Sequence, residues 1–147
     1  MTDHGGMPLA PVSWGELLDK ITILEVKRER IGAPEAVANV VRELALLTDI
    51  ARPVLGRSGV THHMARLRAI NARLWDIEDA IREKEAKGAF DAEFVRLARS
   101  VYRTNDLRAL VKRRINAALG SELVEEKSYA GGPVSRSRRR GGQDQRE

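Results

Sequence analysis

The sequence predicts an all-α protein, an up-down four-helix bundle with a long antiparallel hairpin formed by helices 3 and 4. Three observations favour this fold. Apolar residues recur at a period of about 3.6 residues in four successive segments. Only 4% of the residues are aromatic, so the core must be built from aliphatic side chains. The 32% that are charged fall in mixed-sign clusters typical of solvated helix faces.

Helix 1 is predicted to begin after Ser13. Ser13 and Glu16 have the spacing of a capping box, in which the hydroxyl accepts a hydrogen bond from the first turn. Gly32 and Pro34 are expected to end the helix. Its apolar positions are Leu17, Leu18, Ile21, Ile23, Leu24, Val26 and Ile31.

Helix 2 is predicted to start with Pro34 in its first turn, where the missing N–H costs nothing. Pro53 and Gly56 are expected to stop it, which makes residues 52–60 the most loop-like internal segment. Its apolar stripe is Val37, Val40, Val41, Leu44, Leu47 and Ile50.

Helix 3 is predicted to have Thr61 as its N-cap and to end at Gly88. Asp91 is expected to cap helix 4, which runs to Gly120. The helix 3 stripe is Met64, Leu67, Ile70, Leu74, Ile77 and Ile81, and the helix 4 stripe is Phe94, Leu97, Ala98, Val101, Leu107, Leu110, Val111, Ile115 and Ala118.

The predicted helices differ in length. At ~1.5 Å per residue, helices 1 and 2 span roughly 26 Å each and helices 3 and 4 roughly 40 Å each. The short pair cannot cover the long pair. We therefore expect the hairpin either to project as a coiled-coil-like arm or to be covered by a second subunit or by residues 121–129.

Polar and aromatic residues lie among the apolar positions of the predicted hairpin. If the chain reverses near residue 89, Trp75 comes close to Arg103 and Thr104, and Glu78 close to Arg99. One interpretation is a layer of ion pairs and Asn that fixes the register. The other is a small-ligand site or enzyme active site, whose candidate residues are Trp75, Glu78, Arg99, Tyr102 and Asn105.

The sequence shows no motif for metal binding, phosphate binding or nucleophilic catalysis. The chain has no Cys, and adjacent His62 and His63 would point in different directions on a helix, so we expect no metal site and no cofactor. Phosphate-binding Gly loops and a convincing nucleophile with its base are absent, which makes an enzyme the less favoured class. A dianion-binding core is a further alternative; its candidates are Lys20, Arg28, Arg42, Arg99 and Arg113.

The C-terminal part divides into two segments. Ser121 could cap another turn after helix 4, with Leu123 and Tyr129 either docking on the bundle or recognising a partner. Residues 130–147 carry five Arg against Asp144 and Glu147, which is +3 of the formal +5. We expect a flexible lead-in over 1–12, a helical domain over 13–129 and a disordered basic tail over 130–147. The tail could associate weakly with nucleic acid.

Three motifs link the sequence to a family. They are Leu-Trp-Asp-Ile-Glu-Asp from residue 74, Leu-Ala-Arg-Ser-Val-Tyr-Arg-Thr-Asn-Asp from residue 97 and Ser-Glu-Leu-Val-Glu-Glu-Lys-Ser-Tyr from residue 121. With the start of helix 1, they resemble an uncharacterised bacterial family of short helical proteins known only as a domain of unknown function. The resemblance runs from about residue 12 to residue 129, and it implies no activity.

The function predicted from the sequence is that of a non-enzymatic helical interaction or scaffold protein, with a protein partner or a second copy of itself. A small-ligand site at the polar layer between helices 3 and 4 is the alternative, and nucleic-acid association ranks third. The N-terminus has no apolar signal region and no segment reaches the ~18 apolar residues of a membrane span. We therefore expect a cytoplasmic protein with no membrane contact.

Overall fold

The computed structural model of the chain describes residues 5–124 and 126. In that part of the chain there are four helices and no strand; they are α1 (Trp14–Arg30), α2 (Pro34–Leu55), α3 (Val60–Ala86) and α4 (Ala92–Leu119). The helices α3 and α4 form the most extensive pair and run antiparallel on either side of the turn at Gly88. The predicted all-α bundle with its hairpin is confirmed.

The helix ends follow local chemistry. The Ser13 hydroxyl accepts a hydrogen bond from the Glu16 N–H at 3.1 Å, and the Asp91 carboxylate accepts one from the Phe94 N–H at 3.0 Å. Pro34 occupies the first turn of α2. Gly120 ends α4 in the left-handed conformation, with φ 62°, which a residue with a Cβ rarely adopts. These predicted starts and stops are confirmed.

The predicted stop of α2 at Gly56 is correct, since Gly56 is its C-cap, but the stop at Pro53 and the N-cap predicted for α3 are wrong. Pro53 lies inside α2, which continues to Leu55, although proline removes one backbone donor from the helix. The last turn is held in place because Ala51 and Val54 are 0% and 3% exposed. The N-cap of α3 is Gly59 and not Thr61, so the predicted loop of residues 52–60 shortens to residues 56–59.

The core is organised around α1, which packs against all three other helices, whereas α2 packs mainly against α1. Leu18, Ile21 and Leu24 of α1 are at most 2% exposed. The other core residues are Leu17, Val40, Leu44, Ala51, Val54, Val60, Met64, Leu67, Val111 and Ile115. The stripe predicted for α1 is therefore correct over its first three turns.

The stripe predicted for α4 is wrong in its middle. Leu107 and Leu110 are 45% and 42% exposed. The buried face of α4 instead carries Thr104, Lys112 and Asn116 beside Val111 and Ile115. Exposed Val41 and Ile50 show a smaller error of the same kind in α2. Val111 and Ile115 of the predicted stripe are buried, but Leu107 and Leu110 are not, because α1 meets polar side chains of α4.

The end of the hairpin extends past α1. Arg30, the last residue of α1, pairs with Asp76 of α3. Beyond Arg82, ion pairs in the described residues connect α3 only with α4 or the intervening turn; Lys84 lies 2.9 Å from Asp91 and 3.1 Å from Glu93. No described helix is both long enough and apolar enough to span a membrane.

Candidate functional site: a buried polar cluster and the adjoining cavity

Five polar side chains meet where α1, α3 and α4 pack together. We refer to them as the polar cluster; they are Asp19, Thr22, Asn71, Arg108 and Lys112. Asp19 and Lys112 are only 2% and 3% exposed. Charged groups are seldom buried to this degree unless they are paired, so their partners decide what the cluster can do.

Asn71 joins the three helices. Its Nδ2 donates hydrogen bonds to Asp19 Oδ1 and to Thr22 Oγ1, both at 2.9 Å. Thr22 in turn donates to the carbonyl oxygen of Asp19 at 2.8 Å. The other amide atom, Asn71 Oδ1, accepts from Arg108 Nη1 at 3.4 Å. The amide is therefore fixed in one orientation by partners on α1 and α4.

Two cations converge on the Asp19 carboxylate. Lys112 Nζ lies 3.8 Å from Asp19 Oδ2 and 2.7 Å from Glu16 Oε2. Arg108 Nε also lies 3.8 Å from Asp19 Oδ2. Burial raises the pKa of Asp19 above its ordinary value of 3.8, and the nearby Glu16 acts in the same direction. The hydrogen bond from Asn71 and the charges of Arg108 and Lys112 oppose that rise in pKa.

The raised pKa of Asp19 predicts a pH effect on stability. Between 3.8 and the raised pKa, the folded state retains a proton that the unfolded state has lost. The contribution of Asp19 to stability is therefore full at acid pH and is lost as pH rises through that window. We expect wild type to lose stability relative to Asp19→Asn as pH rises through this window. Urea denaturation at a series of pH values measures the free energy of unfolding of both proteins.

Asp91→Asn is the control for this pH series. Hydrogen bonds from Lys84 and from the Phe94 backbone lower the pKa of Asp91. Its stabilising contribution is therefore present above pH 3.8 and is lost as pH falls. The two variants should show opposite trends relative to wild type, and parallel trends would contradict the assignment.

A cavity of about 300 Å³ opens beside the polar cluster, between α1 and the hairpin. We call it the hairpin cavity. Its apolar walls are Ile23, Val26, Leu74 and the half-buried Trp75. Its polar lining consists of Lys27, Asn71, Glu78, Asp79, Arg82, Asn105 and Arg108. Asn71 and Arg108 belong to both features, so the polar cluster forms part of the cavity floor.

The structure brings together three of the five site residues predicted from the sequence. Trp75, Glu78 and Asn105 line the hairpin cavity, whereas Arg99 and Tyr102 are exposed on another side of α4. Arg99 and Tyr102 are rotated about 120° and 60° from Asn105 around the axis of α4, and both lie on its exposed side. Arg103 and Arg99 lower the pKa of exposed Tyr102 below its ordinary value of 10.0.

Sequence reasoning missed the polar cluster. A signal was available in α1, where Gly15, Asp19 and Thr22 follow one another at spacings of four and three and adjoin the apolar stripe. In α4, Arg108 and Lys112 are four residues apart. Such rows of small or polar residues indicate a second buried face when another helix offers matching polar groups.

The N-terminus of α1 rests on the C-terminal part of α4. The Gly15 N–H donates to Asn116 Oδ1 at 2.7 Å, and the Trp14 N–H donates to Ser121 Oγ at 3.2 Å. These bonds satisfy amides that a first helical turn leaves without intrahelical partners. Ser121 therefore helps to cap α1. The sequence had instead predicted that it could cap a further turn after α4.

The predicted partner segment is only partly described. Leu123 is 46% exposed, and Glu126 lies 3.4 Å from Arg113 of α4. Tyr129 and the basic tail of residues 130–147 lie outside the described residues. Within residues 5–124 and 126, no cluster of three or more His, Asp or Glu could hold a metal ion.

Comparison with known proteins gives a family and no activity. The chain belongs to DUF6165, a family of unknown function whose model matches residues 9–140. That span exceeds the resemblance found from the motifs and takes in the first Arg residues of the C-terminal segment. No curated protein and no solved structure matches the chain.

Proposed function

We propose that this chain, whose family carries no assigned activity, binds a small molecule in the hairpin cavity. The observation that carries the proposal is the lining of the cavity, in which apolar side chains, including Trp75, lie beside polar groups such as the fixed amide of Asn71. Small-molecule sites combine apolar walls with a few convergent polar groups in this way. A volume of about 300 Å³ is at the lower end of their usual range and suits a small metabolite.

The energetics of the polar cluster support this proposal. Replacing a buried ionic group by well-packed apolar residues is often neutral or stabilising, so stability alone does not account for Asp19 and Lys112 at this position. The cluster does position Asn71, through its hydrogen bonds to Asp19 and Thr22, and Arg108 lies beside that amide. Groups held in place before a ligand arrives lose less entropy on binding.

We propose binding and not nucleophilic catalysis. The described residues that line the cavity include no hydroxyl, imidazole or thiol side chain. Glu78 and Asp79 are carboxylates, but both are exposed. A ligand would be held between the Trp75 side and the polar floor.

Titration of a small-metabolite library, followed by NMR of the tryptophan indole N–H signals, tests the proposal. The chain has two Trp, so Trp14→Phe leaves Trp75 as the single reporter. We expect at least one compound to shift the Trp75 signal in a saturable way. Removing the aromatic wall in Trp75→Ala should weaken binding of that compound about tenfold, measured by calorimetry.

Trp14→Phe also serves as the matched control, because Trp14 lies at the other end of α1 beside Ser121. It should retain the affinity of wild type. Signal changes confined to residues away from the cavity, or equal affinity in Trp75→Ala, would contradict a ligand site at this position.

A role in protein interaction is the second candidate. It is favoured by the end of the hairpin beyond Arg82, which extends past α1 and exposes Phe90 (60%) and Val95 (52%). The end carries both signs of charge, including Glu83 and Lys87, which suits a second copy of the chain. The coiled-coil character of the arm, the cytoplasmic location, disorder of the basic tail and its association with nucleic acid stay predictions.

A further inference from the structure

We infer that the ligand of the hairpin cavity is a small carboxylic acid whose carboxylate is received by Arg108 and whose apolar or flat body lies along Trp75 and Leu74. This inference rests on the proposed function and deepens it. It names the chemical class of the ligand and the residue that selects it.

The first step is the hydrogen-bonding capacity of Arg108. A guanidinium has five N–H donors and no acceptor. Its contacts are long: Nη1 lies 3.4 Å from Asn71 Oδ1, and Nε lies 3.8 Å from Asp19 Oδ2. Charge-assisted hydrogen bonds are about 2.7–2.9 Å. Among the described residues, no hydrogen-bond or ion-pair partner lies on Nη2, so Arg108 retains donors for a further acceptor.

The second step is the placement of Arg108. Its side chain is 31% exposed and lines the cavity, so a ligand can reach it. The nearest partner of the guanidinium, Asn71 at Nη1, is itself fixed by Asp19 and Thr22. A planar guanidinium with N–H donors still available favours a planar acceptor with two oxygens, which describes a carboxylate.

The third step is the charge around the cavity. Lys27 and Arg82 add positive charge to its lining, but Glu78 and Asp79 lie on the same lining. These acids disfavour a ligand with several negative charges, such as a polyphosphate. A single negative charge, placed at the floor beside Arg108, is the arrangement that the lining favours.

The fourth step is the apolar side. Ile23, Val26, Leu74 and Trp75 line the cavity from α1 and α3. Burial of a ligand's apolar part against them contributes to affinity in proportion to the area covered. Inorganic anions would gain nothing from this surface, whereas an acid with an aryl or branched alkyl group would.

The experiment uses pairs of small acids and their isosteric primary amides, with 4-fluorobenzoate and 4-fluorobenzamide as the ¹⁹F NMR reporter pair. In the full chain, we expect the acids to bind about tenfold or more tightly than the amides, with a shift of the Trp75 indole signal. Arg108→Met should remove the preference for acids, and Arg108→Lys should retain part of it. Arg68→Met removes a guanidinium outside the cavity, so it is the control that should retain the preference.

The outcomes separate the two proposals. Equal binding of acids and amides with a shift at Trp75 overturns the carboxylate inference and leaves the cavity as a ligand site. Absence of any shift at Trp75 with every compound overturns both. Competition by inorganic phosphate, with shifts spread over exposed Lys and Arg, would identify adventitious anion binding and overturn the inference. If Arg108→Met fails to fold by circular dichroism, the acid and amide affinities of wild type and Arg108→Lys decide.

Discussion

Lys112→Met is expected to lower the free energy of unfolding by about 3 kcal/mol, because it removes one of the two cations that face the buried Asp19 carboxylate. Lys112 is 3% exposed and lies near both Glu16 and Asp19. Methionine has a similar length and no charge, so the change removes the ion pairs with little loss of volume. Arg108 Nε remains at 3.8 Å from Asp19 Oδ2, but the 2.7 Å contact of Lys112 with Glu16 is lost.

Urea denaturation followed by circular dichroism measures this effect. Lys87→Met is the matched control, since Lys87 pairs with Glu83 on the exposed surface and its loss should change stability by less than about 0.5 kcal/mol. Adding Asp19→Asn to Lys112→Met should recover part of the loss by removing the buried negative charge that has lost one of its two cations. A loss below about 1 kcal/mol in Lys112→Met would show that the cluster is solvated and not the buried ionic group described above.

Gly15→Ala is expected to destabilise the protein by about 2–3 kcal/mol, although alanine is the better helix former by about 1 kcal/mol. A Cβ on Gly15 would lie 2.5 Å from the Lys112 carbonyl oxygen and 2.9 Å from Asn116 Oδ1. The first of these atoms is backbone and cannot rotate away. The two helices would have to separate, which also weakens the hydrogen bond from Gly15 to Asn116.

Gly32→Ala is the control for this substitution, because a Cβ on Gly32 would meet nothing within 4 Å. Its thermal midpoint should stay close to that of wild type. Stabilisation of Gly15→Ala, as helix propensity alone predicts, would mean that α1 and α4 are not in close contact at this point.

The parts of the fold that the sequence predicted correctly are those decided by neighbouring residues. Ser13 and Asp91 cap helices through amides only three residues away, and Gly120 ends α4 through its own backbone conformation. Pro53 was predicted wrongly as a stop of α2, because burial of Val54, one residue beyond it, holds the last turn in the helix up to the predicted stop at Gly56. That burial depends on tertiary packing.

The candidate site also contains residues that the sequence could indicate and residues whose position depends on tertiary packing. Trp75, Glu78 and Asn105 were found because they lie on the facing sides of the hairpin. Asp19 and Lys112 were missed because each looks like an ordinary surface charge in its own helix. Their burial depends on the angle at which α1 meets the hairpin, and periodicity within a single helix does not report that angle. Arg99 and Tyr102 lie outside the cavity for a related reason, since sequence position along a hairpin does not report rotation about each helix.

The caps of α1 link the beginning of the chain to its end. Gly15 bonds to a residue 101 positions later, and Trp14 to one 107 positions later. During synthesis, a chain that stops short of Asn116 would leave these amides hydrated and the start of α1 prone to fraying. Closure of the native structure therefore waits until almost all of the helical region has emerged from the ribosome, although most contacts within each helix are local.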